Sequence, residues 1–134
     1  QKMTEQEAEC IRIRDIRRFV ESGLGQWMKK AAMIKHLYRE QPFVIQRNAS
    51  MLDDGWKNET VLVQGIIDAY FMEEEEIVLV DYKTDRVKRG QEQKLIDLYH
   101  VQLEDYARAL ERMTGKRVKE KIIYSFTLQK EILL

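Results

Sequence analysis

The sequence has 134 residues, enough for one domain with a single hydrophobic core. Its 23 basic and 23 acidic residues leave no net charge, which argues against a protein that coats polyanions but permits a local basic surface. The single cysteine, Cys10, excludes an internal disulfide and a cysteine-rich zinc site, and no apolar run approaches the roughly 18 residues of a membrane span. We therefore expect a cytoplasmic protein without a membrane partner. Because the sequence begins with Gln1 rather than Met, we also expect further chain upstream.

Helical patterns occupy the first 36 residues. Thr4 and Glu7 have the spacing of a capping box, in which each side chain satisfies a free backbone donor of the other residue. A second helix is predicted to stop at Ser22-Gly23, and a third to run from about Gly25 to His36. The apolar side chains expected to pack from these two helices are Ile13, Ile16, Phe19, Val20, Trp27, Met28, Ala31, Ala32 and Ile34.

The pattern becomes extended near Tyr38. Pro42 forces its preceding residue into extended geometry, and a strand is predicted from Phe43 to Ile45. After a loop over residues 48–60, two strands are predicted, from Val61 to Met72 and from Ile77 to Lys83.

The second half of the chain holds the longest helix. It is predicted from about Gln91 to Thr114 and is closed by Gly115 just past its end. A last strand is predicted from Lys121 to Thr127, and no element is predicted for residues 128–134. The side chains expected on the packed face of the helix are Leu95, Leu98, Leu103, Tyr106, Leu110 and Met113.

Two acids lie inside the apolar strands on either side of the turn at Glu73–Glu76. If that turn centres between its second and third residues, Asp68 and Asp81 lie directly opposite one another and share a face of the hairpin. Lys83 follows two residues later and therefore points to the same face. The neighbouring residues are apolar on both faces, which is typical of a covered central strand.

Two facing carboxylates in such a place repel each other and are poorly solvated, unless a cation lies between them. We therefore predict a Mg²⁺ or Mn²⁺ site formed by Asp68 and Asp81, with the backbone carbonyl of Tyr82 as a further ligand. Lys83 would neutralise charge on a bound phosphate or orient the attacking water. The alternative is a purely structural salt bridge between Lys83 and one carboxylate, which would leave the other acid unpaired.

Four motifs extend this pattern. They are Arg39-Glu40-Gln-Pro42-Phe43, Gly65-Ile-Ile-Asp68, Asp81-Tyr-Lys83-Thr-Asp85 and Tyr99-x-x-Gln102-Leu103-x-x-Tyr106-x-x-Ala109-Leu110. In combination they resemble the RecB-family nucleases of the PD-(D/E)xK superfamily, and within that family the nuclease domains of AddA-type chains from AddAB helicase–nucleases. The resemblance covers roughly residues 36 to 128.

The resemblance implies an α/β (α+β) fold with a restriction-endonuclease-like core, in which helices flank a small central mixed sheet. Residues 1–134 would form a single nuclease domain, with a helical lead-in over 1–36 and a catalytic core over 37–128. This domain would be part of a larger helicase–nuclease chain.

The resemblance also assigns roles to individual residues. Asp68 and Asp81 would hold the metal, Lys83 would be the catalytic lysine, and Gln102 and Tyr106 would line the site. Glu40 would be an acid near the metal. Packing of the helix is the alternative for Gln102 and Tyr106, and an ordinary surface acid is an equal alternative for Glu40.

The function implied is metal-dependent exonuclease action on DNA, within an ATP-dependent machine that processes double-strand breaks for recombinational repair. Its partners would be DNA, the helicase domain of the same parent chain and an AddB-like subunit. The alternatives are a Cas4-like stand-alone exonuclease and a catalytically silent module for DNA binding or docking. The intact Asp68, Asp81 and Lys83 argue against the silent module.

One expected residue is missing. Family members carry a histidine on a helix well upstream of the Glu40 strand, and neither His36 nor His100 lies in that context. We therefore expect this histidine to precede residue 1, which would leave this stretch an incomplete active site.

Basic residues occur in three places. Arg86, Lys88, Arg89 and Lys94 directly follow the active-site strand, and we predict that they contact DNA phosphates. The cluster from Arg112 to Lys121 lies past the far end of the long helix, where the helix dipole by itself favours cations, so we predict a structural role. The arginines of residues 12–18 are predicted to form a solvated helix face, with phosphate contact as the alternative.

Overall fold

A computed structural model describes residues 13–48 and 60–134. The predicted capping box at Thr4 and Glu7 and most of the loop over residues 48–60 lie outside these ranges. The described helices are α1 (Ile13–Glu21), α2 (Gly23–Met33) and α3 (Glu92–Thr114), and the described strands are β1 (Leu37–Asn48), β2 (Thr60–Glu73), β3 (Glu76–Lys83), β4 (Val118–Ser125) and β5 (Lys130–Leu133).

The described strands form one five-stranded sheet in the order β1-β2-β3-β4-β5. Neighbouring strands are antiparallel except for β3 and β4, which are parallel. A parallel pair cannot be joined by a tight turn, and α3 provides the long crossover that it requires. This architecture confirms the predicted α/β class with a small mixed sheet and flanking helices.

The hairpin between β2 and β3 turns through only two residues. Glu74 and Glu75 have φ angles of 51° and 71°, the left-handed conformation at both central positions that matches the twist of two antiparallel strands. The turn is therefore centred where the sequence predicts it. It also sets the pairing of every residue between it and the two acids.

Each face of the sheet carries its own core. Side chains of α3 pack on one face, against β-strand residues that include Ile77 and Leu79. Side chains of α2 pack on the other, against residues that include Val78 and Val80. All four of these β3 side chains are fully buried, which confirms the prediction of a covered central strand.

The predicted end of α3 at Thr114 is confirmed. α2 instead runs from Gly23 to Met33, so its predicted end at His36 is three residues too late, and several predicted contacts are not found. Gly115 closes α3 with a φ of 70°, a left-handed conformation that costs glycine little, and its N–H donates to the carbonyl of Glu111. The apolar stripe on α1 was predicted to be buried, yet of its members only Phe19 is half-buried. Predicted core residues that are instead exposed are Ile13, Ile16, Val20, Ala32, Ile34, Leu98 and Met113.

The C-terminal residues also differ from the sequence-based expectation. Residues 128–134, for which no element is predicted, contain β5, which pairs antiparallel with β4. Three acids of the turn form ion pairs. Glu73 pairs with Lys119, Glu75 with Lys116, and Glu76 with Arg117. These pairs agree with the structural role predicted for the second basic cluster. None of the helices in the described ranges has both the length and the apolar character needed to cross a membrane.

Candidate active site

β2 and β3 separate at the two acids. Their ladder runs from Glu73 opposite Glu76 to Ala69 opposite Val80, which is the predicted register. The next pair in that register is Asp68 with Asp81, and here the ladder ends. We call this point the fork. Here a side chain, and not a β2 carbonyl, accepts from the backbone of β3: Oδ2 of Asp68 accepts a hydrogen bond of 2.9 Å from the N–H of Tyr82.

The alternation of side chains in β2 reverses at the fork. Ile67 packs in the core beneath α3, whereas Ala69, two residues later, packs in the core beneath α2. A regular strand would place both on one face. β1 shows the same reversal, with Phe43 beneath α3 and Leu37 beneath α2. The sequence gives no sign of this change, because the residues on both sides of it are apolar.

Glu40 lies level with Asp68 at the reversal in β1. Its neighbours Arg39 and Gln41 pair with Ala69 and Ile67, so Glu40 falls opposite Asp68 across the two strands. Its φ of 49° lies in the left-handed region that β-strand residues rarely adopt. Its side chain is exposed. The structure thus places Glu40 on the strand beside the fork, and its role near a metal stays a prediction.

Asp81 is fully buried, although it is an acid on the central strand. Neither of its carboxylate oxygens makes a hydrogen bond with correct geometry to a partner among the described residues, although Nζ of Lys83 lies 3.0 Å from Oδ2. Burial raises the pKa of Asp81 to about 7, Lys83 lowers it in part, and the nearby carboxyl of Asp68 raises it further. The two acids therefore meet in a place that favours cation binding.

Lys83 is almost as buried as Asp81 and has several contacts. Its ammonium lies 3.0 Å from Oδ2 of Asp81 and donates to Oε1 of Gln102 at 3.1 Å. It also lies 3.9 Å from the centre of the Tyr99 ring. The predicted face shared by Asp81 and Lys83 is confirmed, and the lysine is directed at the acids by residues of α3.

Gln102 and Tyr106 lie on the face of α3 that covers the fork. Gln102 contacts both Lys83 and the phenol of Tyr106. Burial, followed by the charges of Asp81 and Asp68, raises the pKa of Tyr106, so its hydroxyl keeps its proton at neutral pH. Both residues line an adjoining cavity of about 290 Å³, together with Phe43 and Gly65.

Gly65 is needed for the packing of that cavity wall. It lies opposite Phe43 in the β1–β2 ladder, and a Cβ atom at position 65 would stand 2.9 Å from Cε1 of that ring. The ring in turn meets Tyr106 edge to face, with 5.0 Å between the ring centres. The close approach allowed by Gly65 is therefore to a neighbouring strand.

The donor set fits a hard divalent ion. Asp68 and Asp81 supply carboxylate oxygens, and Mg²⁺ typically takes only one or two carboxylates and keeps several waters. The N–H of Tyr82 points toward β2, and since the N–H and C=O of one strand residue point the same way, its carbonyl also faces the side of Asp68. In the described ranges, no group of three or more His, Cys, Asp or Glu side chains is arranged for a metal. The acids at the fork would therefore have to be completed by the Tyr82 carbonyl, water and substrate.

The predicted DNA-contacting residues follow the fork in the chain. Arg86, Lys88 and Arg89 lie in the connection from β3 to α3, and Lys94 lies in the first turns of α3. All four side chains are exposed. Their contact with phosphates stays a prediction.

Tyr99 and Asp85 join the site without a role having been predicted for them. Besides its contact with Lys83, Tyr99 donates from its hydroxyl to Oδ2 of Asp85 at 2.7 Å. The spacing held a signal, because Tyr99 precedes Gln102 by three residues and residues three apart share a helix face.

Comparisons with known proteins agree with this geometry. The family model of the PD-(D/E)XK nuclease superfamily matches residues 4–132. The chain is 40% identical to one of the subunits of the ATP-dependent helicase/nuclease of Clostridium novyi (strain NT), over 97% of this chain and 11% of that protein. Identities to the corresponding helicase/nuclease subunits of Thermoanaerobacter sp. (strain X514) and Acetivibrio thermocellus are 42% and 45%, each over 92% of this chain and 10% of the relative. The chain thus spans about a tenth of the length of these relatives. With the acids and lysine gathered at the fork and the match extending over almost its whole length, the chain belongs to the PD-(D/E)XK nuclease superfamily.

Proposed function

We propose that this chain is the nuclease domain of an ATP-dependent helicase–nuclease that processes DNA double-strand breaks for recombinational repair. In this proposal it hydrolyses phosphodiester bonds of DNA with Mg²⁺ or Mn²⁺, and it acts beside a helicase in the same chain and an AddB-like subunit. The observation that carries the proposal is the buried set of Asp81 and Lys83 facing Asp68, where β2 and β3 part. The similarity to helicase/nuclease subunits supports the wider setting.

Each residue has a task that its surroundings explain. Asp68 and Asp81 would hold the metal, which supplies a Lewis acid and a lowered pKa for the attacking water. Lys83, aimed by Gln102, would neutralise charge that develops on the phosphate oxygens. The protonated hydroxyl of Tyr106 could donate a hydrogen bond to a water or a phosphate oxygen.

Replacing Lys83 with Ala in the full-length chain tests the proposal. We expect loss of at least ~100-fold in DNA hydrolysis, since electrostatic stabilisation by one preorganised group contributes on that order. ATP-driven unwinding should persist, because the ammonium of Lys83 contacts Asp81, Gln102 and Tyr99 within this domain. Gel analysis of labelled DNA with and without a nuclease-resistant backbone measures both activities.

The matched control is Lys121→Ala, which removes a lysine from β4 outside the fork and should leave hydrolysis unchanged. Undiminished cleavage products from the Lys83→Ala chain would contradict the assigned role. If the Lys83→Ala chain lost unwinding together with hydrolysis, that result would contradict the proposal that this domain acts only as a nuclease.

A further inference from the structure

Three described contacts of the Lys83 ammonium differ in character. Asp81 and Gln102 contact its ammonium through oxygen atoms at 3.0 Å and 3.1 Å. Tyr99 contacts it through the face of an aromatic ring, whose centre is 3.9 Å away. Within the range of about 6 Å, such a cation–π contact is attractive, and it strengthens when both groups are shielded from water.

The three contacts would respond differently to a substrate. A phosphate oxygen can replace a carboxylate or an amide oxygen as the acceptor of an ammonium hydrogen bond. The ring contact is not directional in that way, because the ring quadrupole attracts the whole cation. Tyr99 can therefore keep the ammonium in place while Lys83 exchanges one oxygen partner for another.

Tyr99 is itself held in position from its far end. Its hydroxyl donates to Oδ2 of Asp85 at 2.7 Å. The backbone carbonyl of Asp85 accepts from the hydroxyl of Thr127 at 2.7 Å, and the carbonyl of Lys83 accepts from the N–H of Phe126. The strand end that carries the lysine and the acid that orients the ring are thus tied to the same segment after β4.

We propose that Tyr99 is a positioning residue that holds the ammonium of Lys83 toward the acids at the fork, and that Asp85 acts through it by fixing the ring. This inference rests on the proposed nuclease function. In this inference, the aromatic ring of Tyr99 contributes more than its hydroxyl to the position of the Lys83 ammonium.

Three variants separate positioning from simple packing, since Tyr99 also packs against the core beneath α3. Tyr99→Leu removes the ring face and keeps an apolar side chain. Tyr99→Phe keeps the ring and removes the hydroxyl, and Asp85→Ala removes only the acceptor. The control is His100→Leu, since His100 is exposed on the same helix and its ring contacts backbone oxygens of its own turn.

The assay measures single-turnover hydrolysis of a labelled single-stranded oligonucleotide with Mg²⁺ by the full-length chain. We expect Tyr99→Leu to lower the rate at saturating DNA about 3- to 30-fold, the range that cation–π energies correspond to, with little change in the DNA concentration for half-maximal rate. Tyr99→Phe should restore most of that rate. Asp85→Ala should match Tyr99→Phe, and combining the two should cause no further loss, because both break one hydrogen bond.

Each other outcome contradicts the inference. Equal losses of rate for Tyr99→Leu and Tyr99→Phe would show that the ring does not position Lys83. Additive losses of rate for Tyr99→Phe and Asp85→Ala would show that Asp85 does not act through Tyr99. A Tyr99→Leu chain with the wild-type rate would overturn the proposal outright. If the wild-type chain leaves the oligonucleotide intact, the proposed nuclease function fails first, and this inference fails with it.

Discussion

At the scale of single residues, the burial of Asp81 makes stability depend on pH. Asp81 lies fully buried on the central strand, where burial raises its pKa from 3.8 to about 7. Between those two values the unfolded chain releases the proton of Asp81 while the folded chain keeps it. Stability therefore falls as pH rises through this window, by about 4 kcal/mol at most if the whole shift is expressed.

We expect Asp81→Asn to remove this dependence. With EDTA present, the melting temperature of Asp81→Asn minus that of the wild type should increase from pH 4 to pH 8, because the amide has no proton to lose. The attraction to Lys83 grows as Asp81 ionises, and it is already included in the pKa of about 7. Mn²⁺ should raise the wild-type melting temperature at pH 8 and have little effect on Asp81→Asn.

Thermal unfolding followed by circular dichroism checks both parts. Asp105→Asn is the control, since Asp105 is also a buried acid but lies on α3. A difference between Asp81→Asn and wild type that does not change with pH would contradict the raised pKa.

Residues whose chemistry is unusual for their position could be predicted from the sequence. An acid on a covered strand is costly, so Asp68 and Asp81 stand out, and their separation from the turn sets their register. Tyr99 did not stand out in the same way, because an aromatic residue on a helix is ordinary. Its role depends on the position of Lys83 in three dimensions, which no local pattern specifies.

At the scale of single elements, Gly65 limits the space between β1 and α3. Replacing it with Ala would bring a Cβ atom to 2.9 Å from Cε1 and 3.2 Å from Cζ of Phe43. The ring would have to move, and it is already in edge-to-face contact with Tyr106. We expect Gly65→Ala to cost about 1–3 kcal/mol in stability, the usual range for overpacking, and to lower hydrolysis as well.

Chemical denaturation measures the stability part of this prediction. Gly23→Ala is the control, because the nearest atom to its added Cβ lies at 3.6 Å, an ordinary contact, and Ala suits a helix better than Gly. Adding Phe43→Leu to Gly65→Ala should cost less than the sum of the two single changes, since the smaller side chain relieves the clash. Strict additivity would show that the ring and the glycine do not compete for space.

Elements were predictable where local chemistry decides them, and less so where packing does. The two-residue turn and the left-handed Gly115 follow from sequence spacing and turn chemistry. β5 was missed because its four residues carry too little pattern, and its existence depends on pairing with β4. The exposure of Leu98 and Met113 was missed because periodicity predicts a face but not its width.

The whole molecule has no net charge, and two groups of its cations lie near opposite ends of α3. Lys116, Arg117 and Lys119 pair with the acids of the β2–β3 turn. Arg86, Lys88 and Arg89 lie near the other end of α3, which as a helix of 23 residues is ~34 Å long. We therefore predict that the second group, which follows the fork in the chain, meets a phosphate backbone that enters the site.

Two triple variants compare these surfaces directly. We expect Arg86→Ala/Lys88→Ala/Arg89→Ala to weaken binding of single-stranded DNA and to reduce the slope of log affinity against log salt by about 2, since each phosphate contact contributes about 0.7. Lys116→Ala/Arg117→Ala/Lys119→Ala removes the same charge and should leave the slope nearly unchanged. Fluorescence anisotropy in EDTA measures binding without cleavage, and equal slopes for the two variants would contradict the assignment.

The parallel pairing of β3 with β4 has a consequence for the time at which activity can arise during folding. The β2–β3 hairpin can form early, because its pairs are close in sequence, and it would bring Asp68 and Asp81 together. Lys83 gains Gln102, 19 residues away, only after α3 has closed over the sheet, and the segment after β4 reaches Asp85 across 42 residues. Since contacts between residues distant in sequence form late, a partly folded chain would hold the acids without an oriented lysine. The crossover would thus delay the orientation of Lys83 until the domain has reached its complete fold.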